Sequence, residues 1–297
     1  MDERMTKVEQ QPNKSSPSAD PPLATTAAEF SAERKIAVSC NVGQDAAEAT
    51  TWRIVGARMR GTAHEVDGKP CQDAIGWTTS ESGFLLTVAD GAGSALAAAV
   101  GSETAVARVL QSYEQLALDM QKQSPVSGEE VVRHLLEKAR TAIYEVADKH
   151  GKAVSHYSTT LALAVAWHGM LHAAQIGDGI VAVDVEGSVE DAAPPLHGEY
   201  ANEAVFLTSG ITLSEVLVSS YDLTDVRGVA LSSDGLYMVA TEVARARAPF
   251  APFFEDAFTA VRAGAGCAEV EAFLARVDDR TGDDKSLVLA VHPAGHE

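Results

Sequence analysis

Cysteine is scarce in this chain: Cys40, Cys71 and Cys267 lie far apart and form no CxxC or CxxH pair. That excludes a disulfide framework and a cysteine-based zinc site, and it fits a reducing compartment. Positive charge is also in short supply. Lys plus Arg number 23 against 42 Asp plus Glu, a formal net charge of −19, so attraction to a nucleic-acid backbone or an anionic membrane surface is not expected. A basic partner or a cation suits such a chain better. No stretch approaches the roughly twenty apolar residues of a membrane helix, and the N-terminus MDERMTKVEQQPNK lacks the apolar core of a signal peptide. The reading is cytoplasmic. What the chain does have is 297 residues, 46% of them hydrophobic, enough to bury a sizeable core without staples.

The first 49 residues differ from the rest. The N-terminal stretch carries Pro12, Pro17, Pro21 and Pro22 and a single aromatic, Phe30, and such a segment cannot bury enough to offset its ordering entropy. Residues 1–49 are read as a disordered tail, with KIAVSC near Lys35 as a possible added strand, and residues 50–297 as one folded domain. Within the domain, strands are expected at Thr51–Ala57 and Gly83–Ala89, and helices at Ala95–Gln121 and Glu129–His150, the second stopped by Gly151. STTLALAVAW and MLHAAQIGDGIVAVDV, joined at His168-Gly169, read as a long antiparallel hairpin. Further strands are expected at Ala204–Thr208, Val229–Ser232 and Ser286–His292. A helix interrupted by Gly264 and Gly266 is expected over Phe253–Val277, and an irregular surface insertion over Ser209–Asp225. Elements arrive in blocks, not in strict βα alternation, so the fold class is α+β.

Five short acidic segments share one local arrangement. PCQDA at Asp73, VADGAG at Asp90, QIGDG at Asp178, LSSDGL at Asp234 and GDDKSLVLAV at Asp283 and Asp284 each place carboxylates beside an apolar run, often before Gly. A lone Asp-Gly after a strand is a turn. Several side by side gather like charges that repel by several kcal/mol unless cations neutralise them. Oxygen ligands without matching His or Cys suit Mg²⁺ or Mn²⁺. Cations held in this way can supply a bound hydroxide near neutral pH, with no protein nucleophile. In agreement, the chain has no GxSxG, no Walker GxxxxGK[ST] and no HExxH.

VADGAGSA, STTL, QIGDG, LSSDGL and DDKSLVLAV, in this order, resemble the motifs of the PP2C-type metal-dependent Ser/Thr protein phosphatases, and PCQDA with upstream GTAH resembles the first motif of a bacterial branch. The resemblance spans Arg53 to Val291. It implies a PP2C-like α-β-β-α sandwich, two central antiparallel sheets flanked by helices. It also implies hydrolysis of phosphoserine and phosphothreonine in proteins at a binuclear Mn²⁺ or Mg²⁺ centre. Asp90 would bridge both cations, Gly91 would offer its carbonyl, Asp234 and Asp283 would complete the ligand set, and Asp73 would hold water on a cation or touch one. Asp178 would help bind a third, weaker cation. Phosphoprotein substrates, among them a Ser/Thr kinase and its targets, are the implied partners, with no nucleic acid and no membrane.

The sequence departs from that pattern at the phosphate grip. His64 stands where an Arg is usual, and Arg58, Arg60 and Lys69 are the alternatives. Asp284 falls where Asn is usual and is read as supporting the site, as are Thr159 and Thr160. Ala92 follows the DG pair, where some relatives carry a His. An inactive PP2C-like sensing or scaffolding module, and a two-metal phosphodiesterase, are the competing readings.

Overall fold

The computed structural model describes residues 52–120, 126–194, 205–242, 248–278 and 280–292. The expected tail at 1–49 and the KIAVSC strand lie outside them. In chain order the elements are β1 (Arg53–Met59), α1 (Thr62–Val66), β2 (Ala74–Ser80), β3 (Gly83–Ala89), α2 (Ala98–Met120) and α3 (Gly128–His150). Next come β4 (Leu161–Trp167), β5 (Met170–Ile176), β6 (Ile180–Val185), β7 (Ser188–Asp191), β8 (Ser219–Asp222) and β9 (Val226–Ser232). The last are α4 (Tyr237–Ala240), a two-stranded ribbon of β10 (Thr241–Glu242) and β11 (Ala248–Pro249), α5 (Ala251–Arg262), α6 (Cys267–Leu274) and β12 (Lys285–Val291).

The strands form two five-stranded antiparallel sheets, β1-β12-β9-β6-β7 and β2-β3-β4-β5-β8. Strand alternation sorts the side chains into layers. In β3 and β4, Leu85, Ala89, Leu161, Leu163, Val165 and Trp167 pack against α2 and α3. Their alternates Phe84, Leu86, Val88, Ala162, Ala164 and Ala166 face Val181, Val183, Val229, Leu231 and Val288 of the other sheet. The alanine row of β4 lets the sheets approach closely there. A third core, around Phe254, Phe258 and Leu274, covers the outer face of that second sheet with α5 and α6. Helices therefore flank both sheets, the expected α+β sandwich. Ser127 opens α3 with a capping box to Glu130, and Gly151 closes it. Among the described residues no helix is long and apolar enough to cross a membrane.

Three expectations are corrected. The long hairpin stops at Ile176, where Gly177 (φ +125°) turns the chain out of one sheet and into the other, so β5 and β6 are not paired. Val205–Thr208 is not a strand but a turn, with Val205 and Leu207 buried against α3 and its neighbours; Ala204 lies outside the described residues. Within Ser209–Asp225 the chain includes an edge strand, β8, and a single 3₁₀ turn at Leu213–Glu215. The sequence reading also passed over β2. Its Gly76 leaves the space that Val106 and Leu110 of α2 occupy, so the strand carries a gap where an apolar residue would have signalled it.

Candidate active site

Both sheets end at the same edge, and each delivers acidic residues there. β2 and β3 pair with Ala74 opposite Ala89, so Asp73 just before one strand and Asp90 just after the other are brought to adjoining positions. In the second sheet Leu287 pairs with Ser232, which sets Asp234 beside the Asp283-Asp284 entry to β12. Hydrogen bonds join the two edges: the hydroxyls of Ser233 and Ser286 both donate to Asp73 Oδ2, at 2.7 and 2.8 Å. Asp73 is fully buried, and its other oxygen, Oδ1, has no hydrogen-bond partner among the described residues. A buried carboxylate oxygen without a donor is costly. It is what a cation would relieve.

The electrostatics agree. Burial pushes the Asp73 carboxyl up to about 7, against the pull of Ser233 and Ser286 and with further push from Asp284 and Asp234. Burial also holds Asp90 well above the carboxylate range, and Asp73, Asp234 and Asp283 add to it as like charges. Asp73, Asp90, Asp234 and Asp283 are therefore one electrostatic group. The oxygen-rich donor set and the orphaned Oδ1 fit hard divalent cations. Asp178 belongs to a different turn, between β5 and β6, where its carbonyl accepts from the Tyr237 hydroxyl.

Backbone placement of Asp90 is tightly specified. Its N–H donates to Thr160 Oγ1 at 2.9 Å, and its carbonyl accepts from Thr159 Oγ1 and the Thr160 N–H, both at 2.8 Å. The two threonines thus buttress the loop, as expected from STTL. Gly91 bonds through its N–H to Gln72 O at 3.2 Å, and a Cβ there would stand 2.8 Å from the Ala98 backbone.

Asp284, 1% exposed, adds its charge to that on Asp73 and also ties three segments together. Its Oδ1 accepts from Gly61 N–H at 2.7 Å and its Oδ2 from Gln72 N–H at 2.5 Å, while His64 Nδ1 lies 3.0 Å from Oδ2. His64 is 8% exposed on α1. It shares a cluster with Asp283 and Asp284 in which one polar atom of each lies within 4.8 Å of the others. Gly61 is required at this junction, because a Cβ would fall 2.3 Å from the Asp283 carbonyl. Of the alternative basic residues, Arg58 adjoins the site and Arg60 and Lys69 pair with acidic neighbours on and after α1. Arg58 donates to the Asp73 carbonyl and lies 3.4 Å from Glu103, Arg60 pairs with Glu65 at 3.6 Å, and Lys69 with Asp67 at 3.5 Å.

Ser233, Ser286 and Gln72 were missed by the sequence reading. The serines are legible in retrospect as the neighbours of the acidic residues in LSSDGL and DDKSL, whereas Gln72 gave no signal beyond its place beside Asp73. Ser233→Ala should cost about 1–3 kcal/mol of stability, the usual penalty for a buried acceptor losing a donor, read as a lower melting temperature of the metal-free protein.

The comparisons with known proteins agree with this architecture. The Protein phosphatase 2C family model matches residues 60–275. Over 255 residues the chain is 30% identical to Serine/threonine-protein phosphatase 3 of Escherichia coli (strain K12), covering 81% of this chain and 98% of that relative. Similar solved structures include serine/threonine phosphatase Stp1 from Staphylococcus aureus, with TM-score 0.55 and 15% identity over 84% of this chain and 98% of that one. Another is the catalytic domain of the serine/threonine protein phosphatase PstP in complex with two manganese ions, with TM-score 0.53 and 18% identity over 81% and 97%. Sheet order, site edge and family match lead to one statement: the chain belongs to the protein phosphatase 2C family.

Proposed function

We propose that this chain is a protein-serine/threonine phosphatase that uses two divalent cations, Mn²⁺ or Mg²⁺, held by Asp73, Asp90, Asp234 and Asp283 with the Gly91 carbonyl, and a third, weaker one near Asp178. The observation that carries the reading is the convergence of four carboxylates at one edge of both sheets, with Asp73 Oδ1 buried and unpartnered. When bound, the cations lower the pKa of a water and offset the charge of the phosphoryl oxygens. The residues of the chain do the rest. Ser233 and Ser286 fix Asp73 so that Oδ1 faces the centre, and Thr159 and Thr160 fix Asp90. Asp284 lies beside His64, its Oδ2 3.0 Å from Nδ1, and His64 contacts the substrate phosphate.

Phosphoproteins are the substrates. Their phosphates would come from a Ser/Thr kinase that this enzyme opposes, and the net charge of −19 favours basic segments around the phosphorylated residue. A cytoplasmic location follows from the cysteine usage. Two expected results test the reading. A phosphothreonine peptide should be hydrolysed in preference to a phosphodiester such as bis(p-nitrophenyl) phosphate; the reverse preference would assign a phosphodiesterase. His64→Ala should lower kcat/KM on the peptide by about a hundredfold with Mn²⁺ affinity unchanged in calorimetry, and an unaltered kcat/KM would remove His64 from the phosphate contact.

A further inference from the structure

The segment 205–218, expected as a strand to Thr208 and a surface insertion from Ser209, is hydrogen-bonded to α3 on one side and, through Thr159, to the Asp90 loop on the other. On one side Arg140 of α3 grips it: Nε donates to Leu207 O and Nη1 to Ile211 O, both at 2.9 Å. Arg133, two turns earlier, donates to Leu213 O at 2.8 Å. On the other side the Leu207 N–H donates to Thr159 O at 2.9 Å, and Thr159 Oγ1 donates to Asp90 O at 2.8 Å. A parallel link joins Thr208 Oγ1 to Ser158 Oγ at 2.8 Å, and Ser158 O accepts from Ala92 N–H at 2.9 Å, two residues past Asp90. Val205, Leu207 and Val216 are buried in the same core as the apolar face of α3.

The peptide joining Thr159 to Thr160 is the relay: its carbonyl accepts from Leu207 N–H and its own N–H donates to Asp90 O at 2.8 Å, so the two bonds polarise one another. Arg140 is suited to the anchoring end. Its planar fork reaches two carbonyls four residues apart, which the single ammonium of lysine does not reproduce. It makes these bonds although Nη2 is buried with no hydrogen-bond partner among the described residues, so the desolvation is tolerated for the sake of the two carbonyls.

We propose that Arg140 is a positioning residue for the acidic centre, setting the Asp90 loop through segment 205–218 by way of Thr159 and Ser158. The inference rests on the cation-binding reading above and extends it to a residue on the far side of the helical layer. The test uses the full chain, with Mn²⁺ titrated by calorimetry and the metal-free protein melted separately. Arg140→Lys should weaken Mn²⁺ binding about tenfold, the lower end of what outer partners of metal ligands contribute. Thr208→Val, which removes the bond from the segment to Ser158, should weaken it in the same direction. The double variant should bind Mn²⁺ with a loss smaller than the two single losses combined, because both changes loosen the same segment. Unchanged Mn²⁺ affinity in the folded variants, even with a lower melting temperature, would overturn the proposal, as would full additivity. Should Arg140→Lys fail to fold, Thr208→Val decides by the same criterion. Asp90→Asn separates the two levels: loss of Mn²⁺ binding there with normal binding in Arg140→Lys sinks only the positioning role, whereas wild-type Mn²⁺ affinity in Asp90→Asn sinks the cation reading as well.

Discussion

Asp90→Asn should reduce phosphopeptide turnover about a thousandfold or more, and it should raise the melting temperature of the metal-free protein at neutral pH. The first effect follows from removing the carboxylate that both cations would share, at a centre whose charge stabilisation amounts to several kcal/mol of barrier. The second follows from the charges already gathered there. Burial, and then Asp73, Asp234 and Asp283, disfavour ionisation of Asp90, so without cations a neutral amide relieves repulsion. Opposite signs in one variant are diagnostic. A residue with a purely structural role would lower both stability and activity, while a ligand to an absent cation lowers activity and raises apo stability. Asp234→Asn should behave the same way.

Stripping divalent cations from the full chain should lower its melting temperature by roughly 10 °C at pH 7 and by far less near pH 4. A ligand at a thousand times its Kd contributes about 4 kcal/mol, and each kcal/mol moves the midpoint of a domain this size by about 2–4 °C. The pH dependence comes from Asp73, held at about 7 against an ordinary 3.8. A carboxyl raised on folding stabilises the folded state fully below its unfolded value, and that contribution is lost as pH rises through the folded value. The metal-free protein therefore weakens between about pH 4 and pH 7 on this account. Cations need the deprotonated carboxylates, so they bind best where the apo protein is weakest. Melts at pH 4, 5.5 and 7, with Mn²⁺ and with chelator, measure the gap; a gap that stays constant across the series would contradict the linkage.

The site's carboxylates were readable because Asp-Gly interrupts an apolar run abruptly in VADGAG and LSSDGL, and because short apolar runs end where strands do. Asp90 and Asp234 sit at strand ends for that reason, and the β12 run places Asp283 and Asp284 at a strand start. What periodicity does not carry is which strands are neighbours. The turn at Gly177 sends β6 to the opposite sheet, and the IGDG turn alone does not distinguish that from a continued hairpin. Leu207 and Thr208 looked like strand, yet their hydrogen bonds go to Thr159 and Ser158, some fifty residues away. Long-range partners also explain Asp284. Its role lies in Gly61, Gln72 and His64, contacts that join α1, the β2 entry and the β12 entry and that no local pattern announces. Arg58, which the strand pattern left open as a phosphate ligand, is engaged with the Asp73 carbonyl.

Release of phosphate from a phosphothreonine peptide by the purified full chain, measured in Mn²⁺ and again after chelation, tests the central claim most directly. The account predicts turnover that requires Mn²⁺ and returns when it is restored. Turnover that survives chelation would contradict the cation-based chemistry, and no turnover from folded, Mn²⁺-binding protein would make this family member a binding module instead.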